Sequence, residues 1–203
     1  MKSANTALQA EAELPLITLC RTRPEVRGLL LATLFGVLTA LSAQASIKLP
    51  FSPVPITGQV LMALLAGGLL GPKLGALSQI EYLVLGAAGM PVFAGGTGGL
   101  LALAGPSGGY IFGFVAAAWL VGMLSRKGGR LRLLAANLAG VVAIYLFGCL
   151  WLAVWLNLYQ PANFSLVKVV SLGALPFLAV DAAKLLLATQ IVSSLERRSS
   201  AAR

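Results

Sequence analysis

An all-α integral membrane protein with six spanning helices is what this sequence predicts. Three observations carry that reading. Apolar residues make up 58% of the chain, charged residues only 10%, and the basic residues gather at the ends of apolar runs. A soluble domain carries about 25% charged residues. Mean hydropathy, at +0.90, points the same way. A net charge of +9 in a soluble chain would suggest a nucleic-acid partner. At the edges of apolar runs it reads instead as a topology signal and as contacts to anionic membrane lipid, and no nucleic acid is expected.

A spanning helix needs about 20 mostly apolar residues. The first candidate is Leu29–Ser46. Residues 1–27 before it are polar and mixed, without the continuous apolar core of a signal peptide, and read as a cytoplasmic tail. Ile56–Leu70, the second, is short and follows the proline-rich PFSPVP. Such a span is tolerated where protein-buried loop fills the remaining depth. Leu74–Met90 follows after only GPK. Tyr110–Leu124, Leu133–Leu156 and Val170–Leu195 complete the set. The membrane domain is thus 28–196, and 197–203 form a C-terminal tail.

Basic residues orient the bundle, because cytoplasmic loops carry the excess of Lys and Arg. Lys2, Arg21, Arg23, Arg27, Lys73, Arg126, Lys127, Arg130, Arg132, Arg197, Arg198 and Arg203 fall on one side. Only Lys48 and Lys168 fall on the other, and Lys184 lies inside the sixth span. Both termini are therefore expected to be cytoplasmic. Three loops are left on the outer side: Ile47–Pro55, Pro91–Gly109 and Asn157–Val169.

Those outer loops differ in character. KLPFSPVPI has three prolines and is expected to be extended, since proline fixes φ and restrains its predecessor. GGTGGLLALAGPSGGY, residues 95–110, has seven glycines and no charge. It cannot be helical throughout, because glycine costs about 1 kcal/mol per position relative to alanine. Glycine also permits positive φ and close backbone approach. This stretch is expected to line or cover a small-molecule pocket. NLYQPANFS reads as an interfacial turn.

Asp181 and Lys184 lie within the sixth span, at i and i+3 on one helix face. Ionisable groups inside a membrane segment suggest a functional site, and a self-contained ion pair is the alternative. Pro176, five residues earlier, is expected to weaken the helix ladder and to break the sixth helix near the outer loops. In the third span Ser78, Gln79, Glu81 and Tyr82 are open to either a structural or a ligand role. Gln59 is a single polar residue at the start of the second span. Asn137 in the fifth reads as interhelical glue. Ala32, Gly36 and Ala40, at i, i+4 and i+8, form a small-residue stripe that lets a neighbour approach closely. That neighbour is a helix of the same chain, a partner subunit or a second copy.

Absences narrow the chemistry. There is no histidine, and Cys20 and Cys149 match no metal or redox spacing. GGLLGPK lacks the spacing of a phosphate-binding loop, and there is no HExxH or GxSxG. No enzyme activity, metal site or cofactor is expected, and hydrolysis of ATP has no recognisable place in this chain.

Four segments together resemble the BioY family: LPFSPVPITGQ (49–59), YLVLGAAGMPVFAGGTGG (82–99), GPSGGYIFGF (105–114) and PFLAVDAAK (176–184). The resemblance covers all six spans, and the proline loop, glycine loop and D-x-x-K occur in the family's order. It implies the six-helix fold of a substrate-binding S component of an energy-coupling factor transporter, in the bacterial plasma membrane. Biotin would be the transported ligand. Uptake would be powered by a membrane coupling protein and two ATP-binding subunits, all separate chains. The D-x-x-K carries over to Asp181 and Lys184 as biotin-binding groups. The helix-one stripe carries over to Ala32, Gly36 and Ala40 as a coupling-protein contact, with Gly36 standing where alanine is usual.

The rest of the expected biotin site follows from loop chemistry. Phe51 and Phe93 would cover the ring system. Backbone N–H groups at Gly98, Gly99 and Gly108 would meet ligand oxygens, with Tyr110, Gln79 and Tyr82 nearby. Asp181 would accept from the ureido N–H groups, and Lys184 would either neutralise the ligand carboxylate or hold Asp181 ionised. Alternatives remain: an S component for another vitamin, a ligand-free scaffold, or a self-sufficient secondary transporter with Glu81 or Asp181 as its proton site.

Overall fold

The computed structural model describes residues 23–126, 128–159 and 164–201. Most of the expected N-terminal tail lies outside the described residues, with Lys2, Cys20 and Arg21. So do Lys127 and Arg203. The chain runs α1 (Pro24–Gln44), β1 (Ser46–Leu49), β2 (Ser52–Thr57), α2 (Gln59–Ala87), α3 (Leu100–Leu103), α4 (Gly108–Leu124), α5 (Arg130–Tyr159), α6 (Leu166–Gly173), a 3₁₀ turn (Leu175–Phe177) and α7 (Leu178–Ala201).

Helix α1 starts earlier than the apolar run suggests. Pro24 sits in its first turn with Glu25 beside it. Proline has no N–H to lose there, and an acidic group suits the positive end of the helix dipole.

By hydrogen-bond pattern α2 is one run of 29 residues, yet it is not one rod. Gly71 has φ +78 and precedes Pro72. Proline disfavours helical backbone in its predecessor, and glycine accepts the positive φ that a reversal needs. The side chains of Gln59 and Tyr82 are hydrogen-bonded, whereas a straight helix would hold these residues roughly 35 Å apart. A Cβ at Gly75 would lie 2.9 Å from the Ala66 carbonyl oxygen. Limbs 59–70 and 72–87 are therefore antiparallel neighbours, and the GPK gap is the turn between them. By length alone α2 could cross a membrane once; the reversal makes it two shorter limbs instead. The described residues thus hold six long helical rods.

Small residues set the spacing of these rods. Helix α4 is the centre, with α2 on one side and α5 on the other. A Cβ at Gly113 would come within 2.9 Å of the Ile144 backbone, and one at Gly67 would run into the Ala118 carbonyl. Lipid offers no hydrophobic drive between helices, so close van der Waals packing of this kind holds them together. Asn137 Nδ2 donates to Thr189 Oγ1 at 2.9 Å, joining α5 to α7.

Two expectations gain detail here. The proline loop is a two-stranded antiparallel hairpin, with Ser46 opposite Thr57 and Leu49 opposite Ser52. The sixth span is broken at the point where Pro176 is expected to interrupt it. Ala174 departs from helical geometry, Pro176 sits in the 3₁₀ turn, and α7 begins only at Leu178.

Candidate functional site

A cavity of about 440 Å³ lies between the hairpin, the glycine-rich stretch and the bundle. That is within the usual 300–1,000 Å³ of small-molecule sites. Its walls are mostly apolar, among them Val54, Ile56, Phe93, Phe114, Ile144 and Phe177. Polar groups enter at a few fixed points.

One of these is a three-residue cluster. Lys184 Nζ donates to Asp181 Oδ1 at 2.7 Å, and Tyr145 OH donates to Asp181 Oδ2 at 2.7 Å. Asp181 is only 4% exposed. Its position follows from the break before α7, which puts the carboxylate in that helix's first turn, where the dipole favours negative charge. With the break, the i, i+3 spacing brings Lys184 back onto the same face. Both carboxylate oxygens are held, and each keeps lone-pair capacity for a ligand donor.

A second fixed point is Gln59. Thr57 Oγ1 donates to Gln59 Oε1 at 2.8 Å, and Gln59 Nε2 donates to Tyr82 OH. Thr57 and Gln59 both line the cavity, so this oriented amide presents a second N–H and a second lone pair. Tyr82 stands behind it, fully buried, with Phe93 packed edge-on to its ring at 5.4 Å.

The third is Lys48, exposed on β1 and lining the cavity together with its neighbour Leu49. Adjacent residues of a regular strand face opposite ways. The hairpin register shifts between Ile47 and Leu49, which lets both reach one side. Lys184 is ion-paired to Asp181, whereas Lys48 has no ion pair among the described residues.

The structure brings Asp181, Lys184, Tyr110 and Phe93 to the cavity wall, and it leaves other expected residues away from it. Phe51 occupies the hairpin turn and is 59% exposed; the strand pairing sets it at the tip, outside the lining. Gln79 faces α1, where Nε2 donates to Thr39 Oγ1 at 3.1 Å and to Ser78 Oγ at 3.1 Å. Tyr82 reaches the cavity only through Gln59. Gly98 and Gly99 fold back on the end of α2, with Gly99 N donating to Gly86 O at 2.7 Å and Gly98 packed on the Met90 carbonyl. Gly108 is pressed between the Leu103 carbonyl and Trp151. The glycine-rich stretch contributes other members instead, including Gly95, Thr97, Gly105 and Ser107.

The small-residue stripe requires a correction. Ala32 and Gly36 are buried in the chain itself, and a Cβ at Gly36 would lie 3.0 Å from the Ser78 carbonyl oxygen. Ala40 packs against the core. The stripe meets the second limb of α2, so it is not a free face for a partner subunit. Glu81 also sits at this seam, away from the cavity, with Oε2 buried and without a hydrogen-bond partner among the described residues.

Sequence reasoning missed Tyr145 and gave Lys48 and Gln59 too little weight. A tyrosine inside the apolar run of α5 was the available signal, because a buried phenol needs a partner.

A family model described as the BioY family matches residues 11–201. A probable biotin transporter BioY from Pyrococcus horikoshii is 43% identical over 82% of this chain and 94% of its own length. A biotin transporter BioY from Thermotoga maritima is 37% identical, over 85% and 97%. Among solved structures, the S component for biotin from an ECF-type ABC transporter matches with a TM-score of 0.75 and 29% identity, covering 87% of this chain and 94% of that one.

Proposed function

This chain belongs to the BioY family, and from that premise we propose that it is the substrate-binding membrane subunit of a biotin uptake system. It is a multi-pass membrane protein, and we place it in the bacterial plasma membrane. The six rods are read as six crossings with both termini cytoplasmic, on the strength of the basic residues gathered at one end. Biotin enters from the opposite face, under the hairpin. Energy comes from a separate coupling protein and two ATP-binding subunits.

The observation that carries this reading is the cavity's division of polar groups. Biotin has a polar ureido ring, an apolar thiolane and a carboxylate tail. The buried Asp181 carboxylate, oriented by Tyr145 and Lys184, suits the ureido N–H groups, since hydrogen bonds to an ionised acceptor are roughly twice as strong as neutral ones. Gln59 complements the ureido carbonyl. Apolar walls take the thiolane. The charge of Lys184 is already matched by Asp181, so its role is to hold that acceptor in place. Lys48, at the exposed rim, is left for the carboxylate. Biotin then lies ring inward and tail outward.

Titration of the purified protein with biotin tests the function directly. Saturable heat of binding with one site is expected; no binding at micromolar biotin would remove the reading.

A further inference from the structure

Helix α6 has eight residues and three different faces. Val169 and Gly173, one turn apart, are buried against the protein. Leu166, Val167 and Val170 occupy the adjoining arc, given 100° per residue, and are 72%, 77% and 44% exposed. Lys168 and Ser171 take the remaining arc, with the half-buried Leu172 at its edge packed against the core. Helix α5 leads to this point along Leu150, Val154 and Leu158, an exposed apolar strip at i, i+4 and i+8. It ends in Trp155 and Tyr159, whose rings lie 5.4 Å apart. Trp and Tyr gather where membrane meets water. The apolar arc of α6 therefore stands where a lipid-facing strip reaches its aromatic end.

The last carbonyls of a helix have no partner within it, and two of those in α6 hold the cavity together. Leu172 O accepts from Ser52 Oγ of the hairpin at 2.7 Å. Gly173 O accepts from Tyr110 OH of the cavity wall at 2.7 Å. Phe177, in the 3₁₀ turn that follows, lines the cavity itself.

We propose that α6 is an interfacial helix seated in the outer leaflet, and that this seat braces the cavity. Leu166, Val167 and Val170 rest on the acyl chains, and Lys168 and Ser171 face headgroups and water. The bilayer fixes the height of α6. Through the two carbonyls, α6 fixes the hairpin over the cavity and the Tyr110 wall beside it. The seat rests on the topology reading and not on the identity of the ligand.

The test uses the full chain with Cys20 and Cys149 replaced by serine, in vesicles of phosphatidylethanolamine and phosphatidylglycerol. Spin labels are placed singly at positions 167 and 168. Oxygen collisions are expected to dominate at 167 and those of a water-soluble nickel complex at 168. Nickel access at 167 would overturn the seat. So would exclusion of both reagents at 167, which would mean a protein partner or a second copy covers the face. For the brace, Leu166→Asp with Val167→Asp is expected to raise the biotin Kd about tenfold in the same vesicles. Val167→Asn, which leaves most of the face intact, serves if the double variant does not fold, with a rise of about threefold expected. An unchanged Kd in a folded variant would overturn the brace. If the unsubstituted protein binds no biotin, the proposed function falls while the labelling result still decides the seat.

Discussion

Asp181→Asn separates a ligand acceptor from a structural ion pair. The carboxylate accepts from Lys184 Nζ and from Tyr145 OH, each at 2.7 Å, and is 4% exposed. Asparagine keeps the shape and one acceptor oxygen. Its NH₂ group then faces either the lysine, which cannot accept, or the phenol, which must turn from donor to acceptor, and Lys184 loses its counter-charge. A hydrogen bond to a charged group contributes about 1.5–3 kcal/mol. Losing one such bond to a ureido N–H therefore weakens biotin binding by at least tenfold, which is about 1.4 kcal/mol. Calorimetric titration in detergent reads the affinity, and thermal unfolding of the same sample reads the fold. The double variant Asp181→Asn with Lys184→Met removes the uncompensated lysine, and a buried pair with both charges gone is far less destabilised than one left with a single unpaired charge. Thermal stability should recover in the double variant and biotin affinity should not. Unchanged affinity in the single variant, or recovered affinity in the double one, would refute a direct contact.

Three further outcomes follow from the same geometry. Lys48→Gln should weaken biotin about fivefold, since an exposed charge pair contributes up to roughly 1 kcal/mol. It should leave biotinamide, which lacks the carboxylate, within about twofold; equal losses for both ligands would place the tail elsewhere. Gly36→Leu forces a side chain against the Ser78 carbonyl. Overpacking of that kind costs about 1–3 kcal/mol, so the isolated chain should melt several degrees lower, as differential scanning fluorimetry would show; an unchanged melting temperature would mean that α1 shifts freely. Ser52→Ala removes the hairpin's bond to Leu172 O, a net of about 1 kcal/mol. Stopped-flow measurement should find biotin dissociating about fivefold faster, and an unaltered rate would show that this bond does not hold the hairpin closed.

The helical rods were legible because their signals are local. Apolar runs, Gly71–Pro72 and Pro176 each act through the backbone of a few residues. Pairing was less legible. Prolines argue against a strand because they cannot donate to a ladder. Here Pro53 and Pro55 fall where the register is irregular, between the paired positions Ser52 and Ile56, and neither is itself a register partner. Which helix faces meet was not legible at all. The spacing of Ala32, Gly36 and Ala40 shows that something packs closely there, but the stripe looks the same whether α2 or another chain supplies the neighbour. The same limit hid Tyr145: its partner lies 36 residues away on α7, and no local pattern links them.

One interruption in the chain accounts for much of the site. If residues 166–198 formed a single helix, the carbonyls of Leu172 and Gly173 would bond to N–H groups one turn on, near Pro176 and Phe177. Proline at 176 has no N–H to give, so the ladder fails there whatever else happens. The break releases both carbonyls, and the hairpin serine and Tyr110 take them. It also starts a new helix at Leu178, which places Asp181 at a helix N-terminus rather than mid-helix. A carboxylate buried mid-helix would have only Lys184 and Tyr145 to offset its desolvation; at the first turn the helix dipole adds to them. The anchored hairpin, the fixed Tyr110 wall and the buried carboxylate are thus consequences of one change in backbone direction, and its position was already written in the sequence as Pro176.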